Sequence, residues 1–163
     1  MKGSQVAEFE KALAAALRYL AVRDRTQHEM ARYLITKGFS HRAAERVLQK
    51  LLGWGYLDDA RVALQWARAK AERDLWGPTR VAAELHRRGI QRKTISDIIT
   101  KLDTELPEWE LACSAARRYL RSHPHRGLLL SRRLAAYLGR RGFSPAVIRE
   151  VLRRELPEKT SRD

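Results

Sequence analysis

Residues 25–50 read RTQHEMARYLITKGFSHRAAERVLQK, and the fold class follows from them. Thr26-Gln27-His28-Glu29 has the form of a capping box, in which the Thr26 hydroxyl takes one orphan helix N–H and Glu29 reaches back for another. Met30, Tyr33 and Leu34 follow at helical spacing. The helix stops at Lys37-Gly38, where glycine enters the left-handed region without a Cβ penalty. Ser40 then caps a further helix carrying Ala44, Val47, Leu48 and Leu51. A leading helix precedes the pair, with Phe9, Leu13, Leu17 and Leu20 as its apolar stripe.

The same unit recurs twice downstream. The stretches around Gly38, Gly89 and Gly142 align without gaps, at spacings of 51 and 53 residues. Leu34, Leu85 and Leu138 lie four residues before the glycine; Ala31, Ala82 and Ala135 lie seven before. Phe39, Ile90 and Phe143 follow it directly, and Ala44, Ile95 and Ile148 come six after. Tyr19, Trp66 and Tyr119 mark comparable positions on the leading helices, and strand-type alternation is almost absent. The expected fold is therefore all-α: three tandem three-helix, helix-turn-helix-like repeats over 8–57, 58–106 and 107–156, forming an elongated, curved array with flexible tails at 1–7 and 157–163. At the joints, Asp58 is placed to cap the fourth helix, with Asp59 favouring its positive end. Gly77-Pro78 opens the fifth and Leu106-Pro107-Glu108 the seventh. The eighth is the least defined. Leu130 stands where a cap is wanted, so Ser122-His123-Pro124 is the alternative start.

Composition bounds the chemistry. The 163 residues are 44% hydrophobic, enough for a packed core, and no window is apolar enough to span a membrane. Met1 to Glu10 lacks the pattern of a signal peptide. Cys113 is the sole cysteine, which fits a reducing cytoplasm and excludes an internal disulfide or a cysteine-based zinc site. The net charge is +14, divided as about +5, +2 and +7 over 1–57, 58–106 and 107–163. An excess spread this widely favours a polyanionic partner or an acidic protein groove.

Catalysis finds little support, and no cofactor, metal or small-molecule ligand is expected. The histidines are scattered, with only His123 and His125 close in sequence. Gly53-Trp54-Gly55 lacks the further glycines and the preceding strand of a phosphate loop. Asp58-Asp59 reads as helix capping and Cys113 as a small core residue. Binding is better supported. A basic residue precedes each repeat glycine, at Lys37, Arg88 and Arg141, doubled by Arg87 and Arg140. These either neutralise helix ends or form a periodic row of positive knobs. Further candidates are Arg68, Lys70 and Arg73 on the fourth helix, Arg80 on the fifth, and Arg132 and Arg133 on the eighth. Trp54, Tyr56 and Trp76 sit near the unit junctions, as inter-repeat packing or as stacking anchors.

Several blocks carry a family resemblance: Arg25-Thr26-Gln27-His28-Glu29-Met30 with Lys37-Gly38-Phe39, then Gly55-Tyr56-Leu57-Asp58-Asp59 with Val62-Ala63. Trp76-Gly77-Pro78 with Arg80, Glu84-Leu85 and Arg88-Gly89-Ile90, and finally Leu138 with Arg141-Gly142-Phe143, complete it. In this order and spacing, over about residues 10–156, the chain resembles the RecX family. The resemblance implies tandem three-helix units. It also implies a non-enzymatic regulator, acting as a monomer in the cytoplasm, that binds the RecA–DNA filament along its groove across neighbouring subunits. It further implies suppression of ATP hydrolysis, strand exchange and the coprotease activity behind the SOS response in DNA repair, with DNA as a secondary partner. The family supplies no catalytic residues to carry over.

The main alternative is a basic helical DNA-binding protein acting through phosphate contacts. Ser40-His41-Arg42 and Gln91-Arg92-Lys93 put polar residues at the start of a would-be recognition helix, whereas Ser144-Pro145-Ala146 reads bases poorly. A membrane-surface helix fits worse, because the apolar stripes recur as core positions.

Overall fold

The computed structural model describes residues 2–123 and 128–156. Among these residues there are α-helices and no strand: α1 (Lys2–Val22), α2 (Gln27–Thr36), α3 (His41–Gly53), α4 (Asp59–Asp74), α5 (Pro78–Arg87), α6 (Arg92–Glu105), α7 (Glu108–Ser122), α8 (Leu128–Arg140) and α9 (Pro145–Glu155). No described helix is long and apolar enough to cross a membrane.

The capping box forms as read: the Glu29 N–H donates to the Thr26 hydroxyl, and the Thr26 N–H donates to the Glu29 carboxylate, both at 3.1 Å. The three repeat glycines end their helices identically. Gly38, Gly89 and Gly142 have φ of +87°, +81° and +86°. In each turn the residue after glycine donates to the leucine carbonyl five positions back, as Phe39 to Leu34, Ile90 to Leu85 and Phe143 to Leu138, at 3.2, 3.1 and 3.3 Å. That bond brings an apolar pair together across the helix end, which is the physical origin of the Leu-to-aromatic-or-Ile spacing in the sequence. Leu34, Leu85 and Leu138 are almost wholly buried, and each contributes about 1.5–3 kcal/mol by leaving water.

The chain forms two compact units, Met1–Leu64 with Leu85–Thr94, and Gln65–Glu84 with Ile95–Asp163, so the divisions fall inside the three helices of the middle repeat. In the first unit α1, α2 and α3 pack together around Ala12, Ala16, Met30, Leu34, Val47 and Leu51. In the second, α7, α8 and α9 pack around Leu111, Ala115, Leu134, Leu138 and Val151. The leading helices turn alanines inward: Ala12 and Ala16 on α1, Ala63, Ala67 and Ala71 on α4, Ala112, Ala115 and Ala116 on α7. Leu17, expected in the stripe of α1, is instead 38% exposed. Small residues at i, i+4 let a neighbouring helix approach closely, and the larger side chains flank that seam.

Two further expectations are corrected. Residues 2–7 continue α1 instead of forming a loose tail, because extending a nucleated helix costs little per residue. Ser122 does not open α8: its hydroxyl donates back to the Arg118 and Tyr119 carbonyls at the end of α7. Pro124, His125 and residues 157–163 lie outside the described residues.

Asp58 caps α4, accepting the Arg61 N–H at 3.0 Å. Asp59 does something the sequence did not announce. Its carboxylate accepts the Gln27 N–H at 2.8 Å and so caps α2 from the next repeat. Burial pushes its pKa up, against the lowering effect of that same hydrogen bond. Asp59→Ala is expected to cost about 1–2 kcal/mol in urea denaturation, as for other lost helix caps. Asp59→Asn keeps the acceptor and is expected to stay near wild type.

Candidate partner-binding surfaces

The basic candidates fall into two physical groups. The first is tied into the fold. Arg68 makes a two-pronged ion pair with Glu105, Nε to Oε2 at 2.6 Å and Nη2 to Oε1 at 2.5 Å, and this holds the Glu105 carboxyl below the usual carboxylate range. Lys70 pairs with Asp74 at 2.7 Å with the same effect on the Asp74 carboxyl, and its ammonium lies 4.9 Å from the Trp76 ring centre. Arg80 also lies over that ring, Cζ 3.9 Å from its centre, and donates to the Arg140 carbonyl at 3.2 Å. Arg141 donates to the Asp74 carbonyl and lies over Tyr137. Arg88 is half-buried and lies 3.8 Å from Glu29, the acid of the capping box.

The second group faces solvent. Lys37 and Arg73 are exposed at the ends of α2 and α4, and Arg87 is exposed in the last turn of α5. Arg132, Arg133 and Arg140 are exposed on α8. They share that helix's outer face with Leu129, 63% exposed, and with Ala136 and Gly139, while Leu134 and Leu138 point into the core. The helix sequence LLLSRRLAAYLGR contains no acid, so nothing on α8 neutralises its arginines. The periodic row of knobs therefore splits. Lys37 is exposed, with its ammonium 5.7 Å from the Tyr33 ring centre, whereas Arg88 and Arg141, at the equivalent positions, are half-buried and bonded to neighbouring elements.

Trp54 and Tyr56 are also corrected. They are 46% and 53% exposed, meeting edge to face at 5.8 Å with the Lys50 ammonium 5.0 Å from the indole centre. The turn Gly53-Trp54-Gly55 lifts them off the core. Trp76 is the one of the three that packs, edge to face against Trp66 at 5.8 Å. Cys113 is buried and its thiol pushed up by burial, which suits a core residue and not a nucleophile.

The equivalent ends of the repeats also carry a tie missed in the sequence. The Glu8 carboxylate accepts the Ser40 N–H at 2.8 Å, and the Glu108 carboxylate accepts the Ser144 N–H at 2.5 Å. Each serine follows its repeat glycine by two positions. The signal was an acid near the start of the leading helix paired with that serine, and it is absent from the middle repeat, where Gln91 stands.

Comparison with known proteins agrees with this geometry. Family models for the first, second and third three-helix domains of RecX match residues 12–51, 58–98 and 107–152 in that order. The chain is 33% identical over 157 residues to "Regulatory protein RecX" of Mycobacterium sp. (strain KMS), covering 94% of this chain and 86% of that one. It is 34% identical over 155 residues to the protein of that name from Mycobacterium leprae (strain Br4923), covering 94% and 90%. A crystal structure of regulatory protein RecX superposes with a TM-score of 0.80 at 26% identity, over 91% of this chain and 73% of that one. RecX from Lactobacillus salivarius shares the fold, with a TM-score of 0.81 at 20% identity over 91% and 97%. With all three domains matched in sequence order onto three glycine-capped helix pairs, this chain belongs to the RecX family of regulatory proteins.

Proposed function

We propose that this protein is a negative regulator of RecA that works by binding, without an enzymatic activity of its own. It lies along the RecA–DNA filament as a monomer in the cytoplasm, touching neighbouring subunits, and suppresses ATP hydrolysis, strand exchange and coprotease activity. The repeats 8–57, 58–106 and 107–156 are its structural modules. Membership of the RecX family carries this reading. The solvent-facing cations Lys37, Arg73, Arg87, Arg132, Arg133 and Arg140 are its proposed contacts, with Arg68, Lys70, Arg80, Arg88 and Arg141 holding the surface in shape.

The deciding experiment titrates the protein into RecA assembled on single-stranded DNA. ATP hydrolysis is expected to fall in a saturable way, and an unchanged rate at saturating protein would overturn the reading. The acid-free arginine face of α8 favours a second reading, in which phosphates are the main target. The two separate on addition of inert competitor duplex. A protein held by phosphates is titrated away, and its affinity falls steeply with salt; a protein held by RecA continues to inhibit.

A further inference from the structure

The outer face of α3 carries a pattern that the core does not require. Arg42, Arg46 and Lys50 stand four residues apart and are all exposed. The register runs on into the turn, because the Trp54 N–H still donates to the Lys50 carbonyl at 3.1 Å and Trp54 keeps right-handed dihedrals. Positions four apart share one ridge of a helix, each about 6 Å further along its axis. The ridge is therefore three cations followed by an indole. Among the described residues, Trp54 and Tyr56 are the exposed aromatic side chains.

Local energetics run against this ridge. Like charges at i, i+4 repel, and Arg42 lies in the first turn of α3, at the positive end of the helix dipole. The other repeats fill the same positions with mixed charge. Counted from the repeat glycine, α6 places Lys93, Asp97, Lys101 and Glu105 there, and α9 places Ala146, Glu150 and Arg154. Glu105 and Glu150 are taken up by Arg68 and Arg153. The cations of α3 rest on rings instead. The Arg46 guanidinium lies 4.7 Å from the Phe9 ring centre and the Lys50 ammonium 5.0 Å from that of Trp54. A ring face attracts the charge but offers the N–H groups no lone pair, so their capacity for an anion is unspent.

We propose that this ridge binds a single strand of nucleic acid. Arg42, Arg46 and Lys50 each take a phosphate, and Trp54 stacks on a base while Tyr56 braces the indole edge to face. Charge complementarity selects a polyanion, and the step of about 6 Å between cations is close to the separation of successive phosphates on an extended strand. The exposed indole selects a single strand, because the base faces of a duplex are already stacked on one another. Lys50 exchanges the ring for a phosphate oxygen, a charge-assisted bond, and so clears the indole for the base. The turn has room for it: a Cβ on Gly53 or Gly55 would meet nothing within 4 Å. The site depends on neither RecA nor the α8 arginines.

Titration with a labelled oligodeoxythymidylate, in the absence of RecA, tests it. Wild type is expected to bind the single strand about tenfold or more tightly than a duplex of the same length, with quenching of tryptophan fluorescence. Trp54→Ala is expected to weaken binding about five- to a hundredfold and to remove most of the quenching, whereas Trp54→Phe keeps a stacking face and should stay within about threefold of wild type. Arg42→Gln, Arg46→Gln and Lys50→Gln combined should flatten the slope of log affinity against log salt by about 2. Arg18→Gln, Arg32→Gln and Arg149→Gln remove as many exposed cations from α1, α2 and α9 and should leave that slope nearly unchanged. Melting temperatures should stay close to wild type throughout, since every altered side chain is exposed. Wild-type binding by Trp54→Ala, or equal losses in the Ala and Phe variants, overturns the site. So does an equal change of slope in the two triple variants. Displacement of the strand by duplex or by polyglutamate as readily as by unlabelled single strand overturns it too, and would mark a surface for acids in general.

Discussion

Gly142→Ala is expected to destabilise the protein by about 3–5 kcal/mol, while Gly38→Ala costs only about 1–2 kcal/mol, although both glycines cap equivalent helices. Both have φ near +86°, so both variants place an alanine in the left-handed region. Only Gly142 adds a collision, because its Cβ would meet the Arg80 backbone nitrogen at 2.3 Å. Relief requires moving the start of α5 away from the turn, which breaks the bonds from Gly77 and Thr79 to the Arg141 and Gly142 carbonyls. It also pulls Arg80 from the Arg140 carbonyl and from Trp76. Gly77→Ala meets the same backbone from the other side and is expected to cost about 1–3 kcal/mol. Urea denaturation of the three variants measures this directly. Equal losses for Gly142→Ala and Gly38→Ala would mean that conformational strain alone is at work and that the close approach carries no energy.

Reversing Arg132, Arg133 and Arg140 together to glutamate is expected to weaken inhibition of the RecA filament by about 10- to 100-fold, from three exposed contacts each worth a few-fold. The melting temperature should hardly change, since these side chains face solvent on a helix without acids. Arg88→Glu and Arg141→Glu are expected to behave in the opposite way. The first sets a carboxylate against Glu29, breaking the pairing that steadies the capping box. The second removes the donor to the Asp74 carbonyl. Each should cost about 1–3 kcal/mol in stability, with inhibition falling only in step with the folded fraction. Inhibition and melting temperature measured on the same preparations separate the two classes. Full inhibition by a well-folded triple variant would remove the α8 face from the contact surface.

Much of this protein was decided locally. Helix starts at Thr26, Ser40, Asp58 and Ser144 and helix stops at Gly38, Gly89 and Gly142 are set by side chains within a few residues of the backbone groups they satisfy. The apolar spacing around each glycine records a contact across one helix end, and its threefold recurrence made the repeats legible without coordinates. The same localness explains the family resemblance, since motif, cap and core position are carried in short blocks.

The division of the arginines was not legible. Lys37, Arg88 and Arg141 occupy one position in the repeat, and only the elements packed beside each turn decide which is exposed and which is used. The role of Asp59 as a cap for α2, 32 residues earlier, depends likewise on two helices meeting. So does the exposure of Trp54 and Tyr56, which their place near the unit junctions left open between packing and stacking. Sequence reports the hydrogen bonds a residue makes with its own turn, because the chain itself holds those partners close. A charge or an aromatic ring at a helix end has several partners of comparable energy, and which one it takes is a matter of which surfaces folding has already brought within 4 Å.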